Sequence, residues 1–117
     1  MKANDLHELY TNDKGKTFQC DRTARILIVF GGITTAFKIN DFLSFKRKVD
    51  AVDLHVMIFN TSDEYDFEVI EAPQVNLSLK LTLCELIALR DLLAGTKFML
   101  DLNSLLYERI YNVSIHA

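Results

Sequence analysis

With 117 residues, half apolar, a quarter charged, and only four glycines and one proline, the chain has the composition of one folded domain rather than a disordered, collagen-like or low-complexity polymer. A single core burying roughly two-thirds of the extended surface is feasible at this length. The formal charge of −3 divides into +2 over residues 1–60 and −5 over residues 61–117, an imbalance too small to imply binding to nucleic acid or an acidic membrane, which requires neutralising many phosphates at once.

Taken in chain order, residues 7–11 read as a short strand closed by Asn12-Asp13-Lys14-Gly15, where Asn, Asp and Gly tolerate turn conformations, so a hairpin to residues 16–20 is expected. Residues 25–30 form a β-branched and aromatic run typical of a covered, central strand. Gly31 and Gly32 turn the chain into a strand over 33–39, with Ile33, Thr35, Phe37 and Ile39 on one face. Asn40 is placed to cap a helix, along which Phe42, Phe45, Val49 and Val52 make an apolar stripe opposite Lys46, Arg47 and Asp50.

Residues 54–59 ("LHVMIF") read as another strand, followed by an acidic loop, a strand over 67–70, a turn holding the sole proline, and a strand over 75–81. In that last strand Val75, Leu77, Leu79 and Leu81 alternate with Asn76, Ser78 and Lys80, which buries one face and wets the other. Thr82 and Glu85 give the T-x-x-E capping box of a second helix, and Gly95 is expected to close it. Beyond it, residues 97–100 suggest a short strand, and Asn103 or Ser104 is placed to cap a last helical segment through Tyr111.

Lys38-Ile39-Asn40 and Lys80-Leu81-Thr82 are alike, each a strand end feeding a capped helix, and their 42-residue offset fits either two ββα-like halves or any α+β protein that launches two helices from a sheet. The expected fold is therefore a single α+β domain: an antiparallel sheet of five to seven strands, two main helices and a C-terminal helical segment. Leu86, Leu89, Leu92 and Leu93 cover about 120° of the second helix, with Leu83 and Ile87 widening the arc, more than one sheet face can hide. Either the C-terminal segment (Phe98, Leu102, Leu106, Ile110) or a second subunit must supply the additional cover. Leu86, Leu89, Leu92, Leu93, Leu106 and Ile110 are accordingly the candidate interface.

Catalytic signals are weak. His7, His55 and His116 are scattered, and no His, Cys or carboxylate spacing suits a metal. Cys84 near a helix start has the electrostatics for a lowered pKa, yet its leucine neighbours read as a buried structural thiol, while Cys20 beside Asp21 and Arg22 reads as exposed. The acidic stretch 62–72 lacks a calcium-loop register, Lys46-Arg47-Lys48 is too short for a phosphate track, and the Gly31-Gly32 pair lacks the remainder of a phosphate-binding loop. An enzyme would need His55 to meet Cys84 or an acid in a pocket. No cofactor, metal or catalytic residue is assigned.

With "LYTNDKGKTFQC" (residues 9–20) and "ILIVFGGITTAFKINDFLSF" (26–45), the chain resembles a small domain-of-unknown-function family of Bacteroidetes-type bacteria. That resemblance implies a bacterial protein and supplies no activity to transfer; the additional Cys and His that some of its members hold near position 20 are absent. The layout is also similar to Pur-type single-strand nucleic-acid-binding repeats, in which four strands precede one helix and a basic, aromatic sheet face binds; Lys16, Phe18, Arg25 and Lys38 would supply that face.

The sequence reading is thus a non-enzymatic interaction or self-association module, a homodimer or a binder of another protein. The alternative is a single-stranded nucleic-acid binder, which the negative net charge disfavours. The polar start and a longest apolar run of "ILIVF", against the ~20 residues of a membrane span, together with two cysteines, Cys20 and Cys84, far apart in sequence without a CxxC spacing, suggest a reduced, cytoplasmic setting away from membranes.

Overall fold

Asn12 starts the first hairpin. Its Oδ1 accepts the N–H groups of Lys14 and Gly15, each at 3.0 Å, an Asx-type turn that fixes the register of the two strands it joins. The computed structural model describes residues 6–60 and 66–116, with side chains through residue 106. Strands β1 (Leu6–Thr11), β2 (Gly15–Cys20), β3 (Arg25–Phe30) and β4 (Ile33–Phe37) form a four-stranded antiparallel meander in sequence order. Gly31 and Gly32 both have positive φ, +58° and +79°, as a two-residue hairpin turn between right-twisted strands requires.

The strand pattern matches the alternation in the sequence, with one local exception. Ile26, Ile28 and Phe30 point into the core, and Arg25, Leu27 and Val29 face outward, half-covered. In β1 the register slips between Glu8 and Tyr10, so Leu9 is an additional residue that re-aims Tyr10 toward the core side, opposite Thr17. No residue type announces that bulge.

Helix α1 (Ile39–Asp50) follows β4 directly. Its N-cap is Lys38, without a side-chain cap, so Asn40 lies in the first turn and does not cap; β4 ends two residues earlier than its apolar pattern suggests. Phe42, Phe45 and Val49 are buried as expected, and Phe45 stacks on Phe37 with centroids 5.1 Å apart.

Residues 54–59 correct the sequence reading. They form a short helix, α2 (Leu54–Phe59), because Asp53 caps it: its carboxylate accepts the N–H groups of His55 and Val56. A β-prone hexapeptide is overruled here by a cap immediately upstream.

Strands β5 (Glu68–Ala72) and β6 (Leu77–Leu81) form a separate two-stranded antiparallel sheet, joined by a 3-10 turn over Pro73–Val75. Asn76 takes φ +54°, so β6 starts at Leu77 and not at Val75. Leu77, Leu79 and Leu81 are buried while Ser78 and Lys80 are exposed, and Lys80 lies over the Phe67 ring at 4.5 Å. The architecture is α+β with sheets of four and two strands in place of one larger sheet. Four strands precede the first long helix and two precede the last, so the fold does not divide into two ββα halves. Cap aligns with cap at Lys38 and Thr82, not at the residues the sequence likeness matches.

The last element corrects the remaining expectations. One helix, α3, runs from Leu83 to His116 without a break: Gly95 does not end it, residues 97–100 are not a strand, and Asn103 and Ser104 cap nothing. Its start is the anticipated box, in which Thr82 N–H donates to Glu85 Oε1 at 2.9 Å and Glu85 N–H donates to Thr82 Oγ1 at 3.3 Å.

Hydrogen bonding to the carboxylate from the Thr82 amide first and from its hydroxyl second holds the Glu85 carboxyl below its ordinary value of 4.5, and Lys14 adds to the effect against partial desolvation. A lowered folded-state pKa means stability that is present above the unfolded value and lost as pH falls through the folded one. The thermal midpoint of Glu85→Gln, whose amide oxygen can still accept the Thr82 N–H, is expected to fall below that of wild type at pH 7, with the gap closing as pH drops below 4.5. A gap that stays constant to pH 3 would remove Glu85 as the titrating group.

Candidate interaction surface

The core-facing side of α3 is settled by its contacts. Leu86, Leu89, Leu92 and Leu93 have no exposed surface, being covered within one chain by α1, both sheets and the edge of α2. The C-terminal segment does not fold back over them, since it is the continuation of the same helix. The additional cover inferred from their wide arc exists, and it is the two-sheet architecture. Of the six candidate interface residues, Leu106 is half-exposed and the Ile110 side chain lies outside the described residues.

The β1–β2 hairpin fixes how α3 lies. Gly15 approaches Leu92, Thr17 meets Thr96, and Gln19 lines a groove with Leu100, Asn103 and Ser104. Four strand residues advance about 13 Å and eight helical residues about 12 Å, so β2 and α3 keep step along this contact. The buried hydroxyl pair at its centre is satisfied: Thr96 donates to Leu92 O at 2.6 Å and shares a 2.6 Å hydrogen bond with Thr17, whose hydroxyl also lies 3.4 Å from Tyr10 O. Tyr10 donates to both Asp91 carboxylate oxygens at 3.2 Å, and Asn12 Nδ2 donates to Asp91 Oδ2 and Ala88 O at 3.0 Å. Hydrogen bonding to Asp91, then its charge, then burial raise the Tyr10 pKa above 10.0. These contacts anchor the hairpin on one flank of α3.

On the opposite flank, the Arg90 guanidinium donates to the carbonyls of Val49 (3.2 Å), Asp50 (2.9 Å) and Val52 at the end of α1. With both flanks and the core face occupied, one arc of α3 remains open. Cys84, Ile87, Asp91, Ala94, Phe98, Asp101 and Leu105 occupy it, all exposed. Ile87 is 47% exposed, Phe98 64% and Leu105 48%, on a helix that already buries a complete leucine face. Steps alternate three and four residues along this stripe, the seam spacing of paired helices. The signal was present in the sequence, but it emerges only once the helix passes through Gly95.

The residues considered for chemistry are not brought together. His55 packs its ring against Phe59, tilted by 49° with centroids 4.4 Å apart, and no hydrogen bond or ring contact joins it to Cys84. The cysteine expectations are reversed: Cys20 is buried and Cys84 exposed. Cys20 sits inside the sheet, paired with Leu6 and Arg25 across neighbouring strands, and Cys84 points away from the leucine face.

His7 reaches Asp21 at 2.6 Å on the surface. The His116 side chain and residues 62–65 of the acidic stretch lie outside what the structure describes. Among the described residues no group of three His, Cys, Asp or Glu side chains could hold a metal ion, and no helix is long and apolar enough to cross a membrane. The apolar gap between the sheets, lined by Phe30, Phe37, Phe45, Leu79 and Leu89 among others, has a volume of about 10 Å³, room for nothing larger than a water.

No family model, curated protein or solved structure matches the chain. The functional reading rests on the surface itself.

Proposed function

We propose that the protein is a non-enzymatic interaction module that works by self-association, and that the open stripe of α3 is its contact surface. One observation carries this reading: a helix whose core face is complete presents Ile87, Ala94, Phe98 and Leu105 to solvent in register, where single scattered apolar residues would need no explanation.

Mass measured over a concentration series tests it. The chain is expected to rise above its 13.4 kDa monomer mass as concentration increases into the high micromolar range, and Phe98→Glu to stay monomeric with an unchanged circular dichroism spectrum. A wild type that remains monomeric throughout would end the proposal.

Single-strand nucleic-acid binding is the second reading, favoured by one observation. Strand register puts Lys16, Phe18 and Arg25 on the outer face of the four-stranded sheet, beside Leu27 and Val29, although Lys38 belongs to the start of α1 instead. Salt separates the readings, since phosphate contacts weaken with added salt and apolar association does not. Absence of oligonucleotide binding at low salt would end this alternative.

A further inference from the structure

The spacing of the open stripe is self-complementary, so a second copy of this chain fits it in a defined orientation. Ile87 and Leu105 lie nine residues either side of Thr96, Ala94 and Phe98 lie two either side, and Asp91 and Asp101 lie five either side. A two-fold interface is self-complementary: if residue i meets j, then j meets i. An antiparallel copy whose axis passes the level of Thr96 therefore sets Ile87 against Leu105 of the second chain, and the small Ala94 against the large Phe98.

We propose that α3 pairs with α3 of a second copy in this antiparallel register, an inference that rests on the self-association reading above and specifies its geometry. A parallel pair would set Ala94 against Ala94 and Phe98 against Phe98, leaving a gap at one level and a clash at the next, and would align the two helix dipoles unfavourably. Threes and fours in alternation give a shallow crossing of roughly 20°.

Charge and area define the strength of this contact. Asp91 faces Asp101 of the second copy, a like-charge juxtaposition that each chain moderates internally: Tyr10 and Asn12 hold Asp91, and Lys97 holds Asp101 at 2.7 Å. The two aspartates cost affinity and penalise shifted registers, in which they would face apolar positions. The contact from Ile87 to Leu105 is a strip about 27 Å long and about 10 Å wide, below the ~800 Å² per partner of a standard stable interface. The pair is therefore expected to be weak and reversible, with association strengthening as salt screens the aspartates.

Disulfide trapping reads the orientation directly, in the full chain carrying Cys84→Ser. Under mild oxidation Ile87→Cys with Leu105→Cys is expected to give a covalent dimer in good yield, while Ile87→Cys alone gives little. Efficient trapping by Ile87→Cys alone would mean parallel pairing and overturn the inference, as would concentration-dependent association of wild type with no 87-to-105 cross-link. In both cases self-association itself would stand. A wild type that stays monomeric sinks both. Raising sodium chloride from low to moderate concentration is expected to tighten association several-fold, and weakening with salt would also count against this register.

Discussion

Gly95→Ala is expected to destabilise the protein by about 1–3 kcal/mol, although alanine is the better helix former by about 1 kcal/mol. The sign follows from contact geometry. A Cβ on Gly95 would lie 2.5 Å from three atoms of the Tyr10 ring, and the ring cannot swing aside cheaply because its hydroxyl is bonded to Asp91, one helical turn earlier. Asp91 and Gly95 together make the seat on which Tyr10 lies, and Tyr10 holds the edge strand to the helix. Urea unfolding of Gly95→Ala, alone and in a Tyr10→Ala background, checks this. Removing the ring should remove the penalty, so that Gly95→Ala becomes neutral or stabilising there. A single variant as stable as wild type would mean the ring does not rest on Gly95.

Gly95 also shows why the sequence was legible in some places and not in others. A glycine after a leucine-rich helical run carries the same letters whether it ends the helix or admits a ring from another strand; only the position of Tyr10, 85 residues away, distinguishes the two. Misplacing that one boundary hid the open stripe, because Ile87 and Phe98 then belonged to different elements. Residues 54–59 failed for a related reason: their β-prone side chains sit behind Asp53, whose capping bonds start a helix.

Where the determinants are local, sequence pattern and structure agree. The Asn12 turn, the paired glycines, the stripe of α1, the alternation of β6 and the Thr82–Glu85 box are each specified within a few residues. The partition into sheets of four and two strands is a tertiary result, set by which apolar faces meet around α3, and no short-range pattern encodes it. The wide arc of Leu86, Leu89, Leu92 and Leu93 does need a second cover, but neither expected source, the C-terminal segment or a second subunit, provides it: α1 and the two sheets do.

The second large effect is expected at Arg90, where substitution by alanine should lower stability by about 3 kcal/mol, near the upper range for hydrogen bonds made by a charged group. The last carbonyls of a helix have no partners inside it, and at the end of α1 those of Val49 and Asp50, with Val52 just beyond, converge on the Arg90 guanidinium. Its positive charge also lies at the negative end of the α1 dipole. Arg90→Lys should recover less than half of the loss, because an ammonium cannot present the planar fork that reaches three carbonyls from one side. Chemical denaturation of the two variants decides the matter: if alanine and lysine both remain within about 0.5 kcal/mol of wild type, as ordinary surface substitutions do, water replaces the guanidinium and the clamp is incidental. If the loss is as expected, Arg90 fixes α1 against one flank of α3 as Tyr10 fixes β1 against the other. The open arc between them is then a surface held in place from both sides, with its side chains already arrayed for a partner before one arrives.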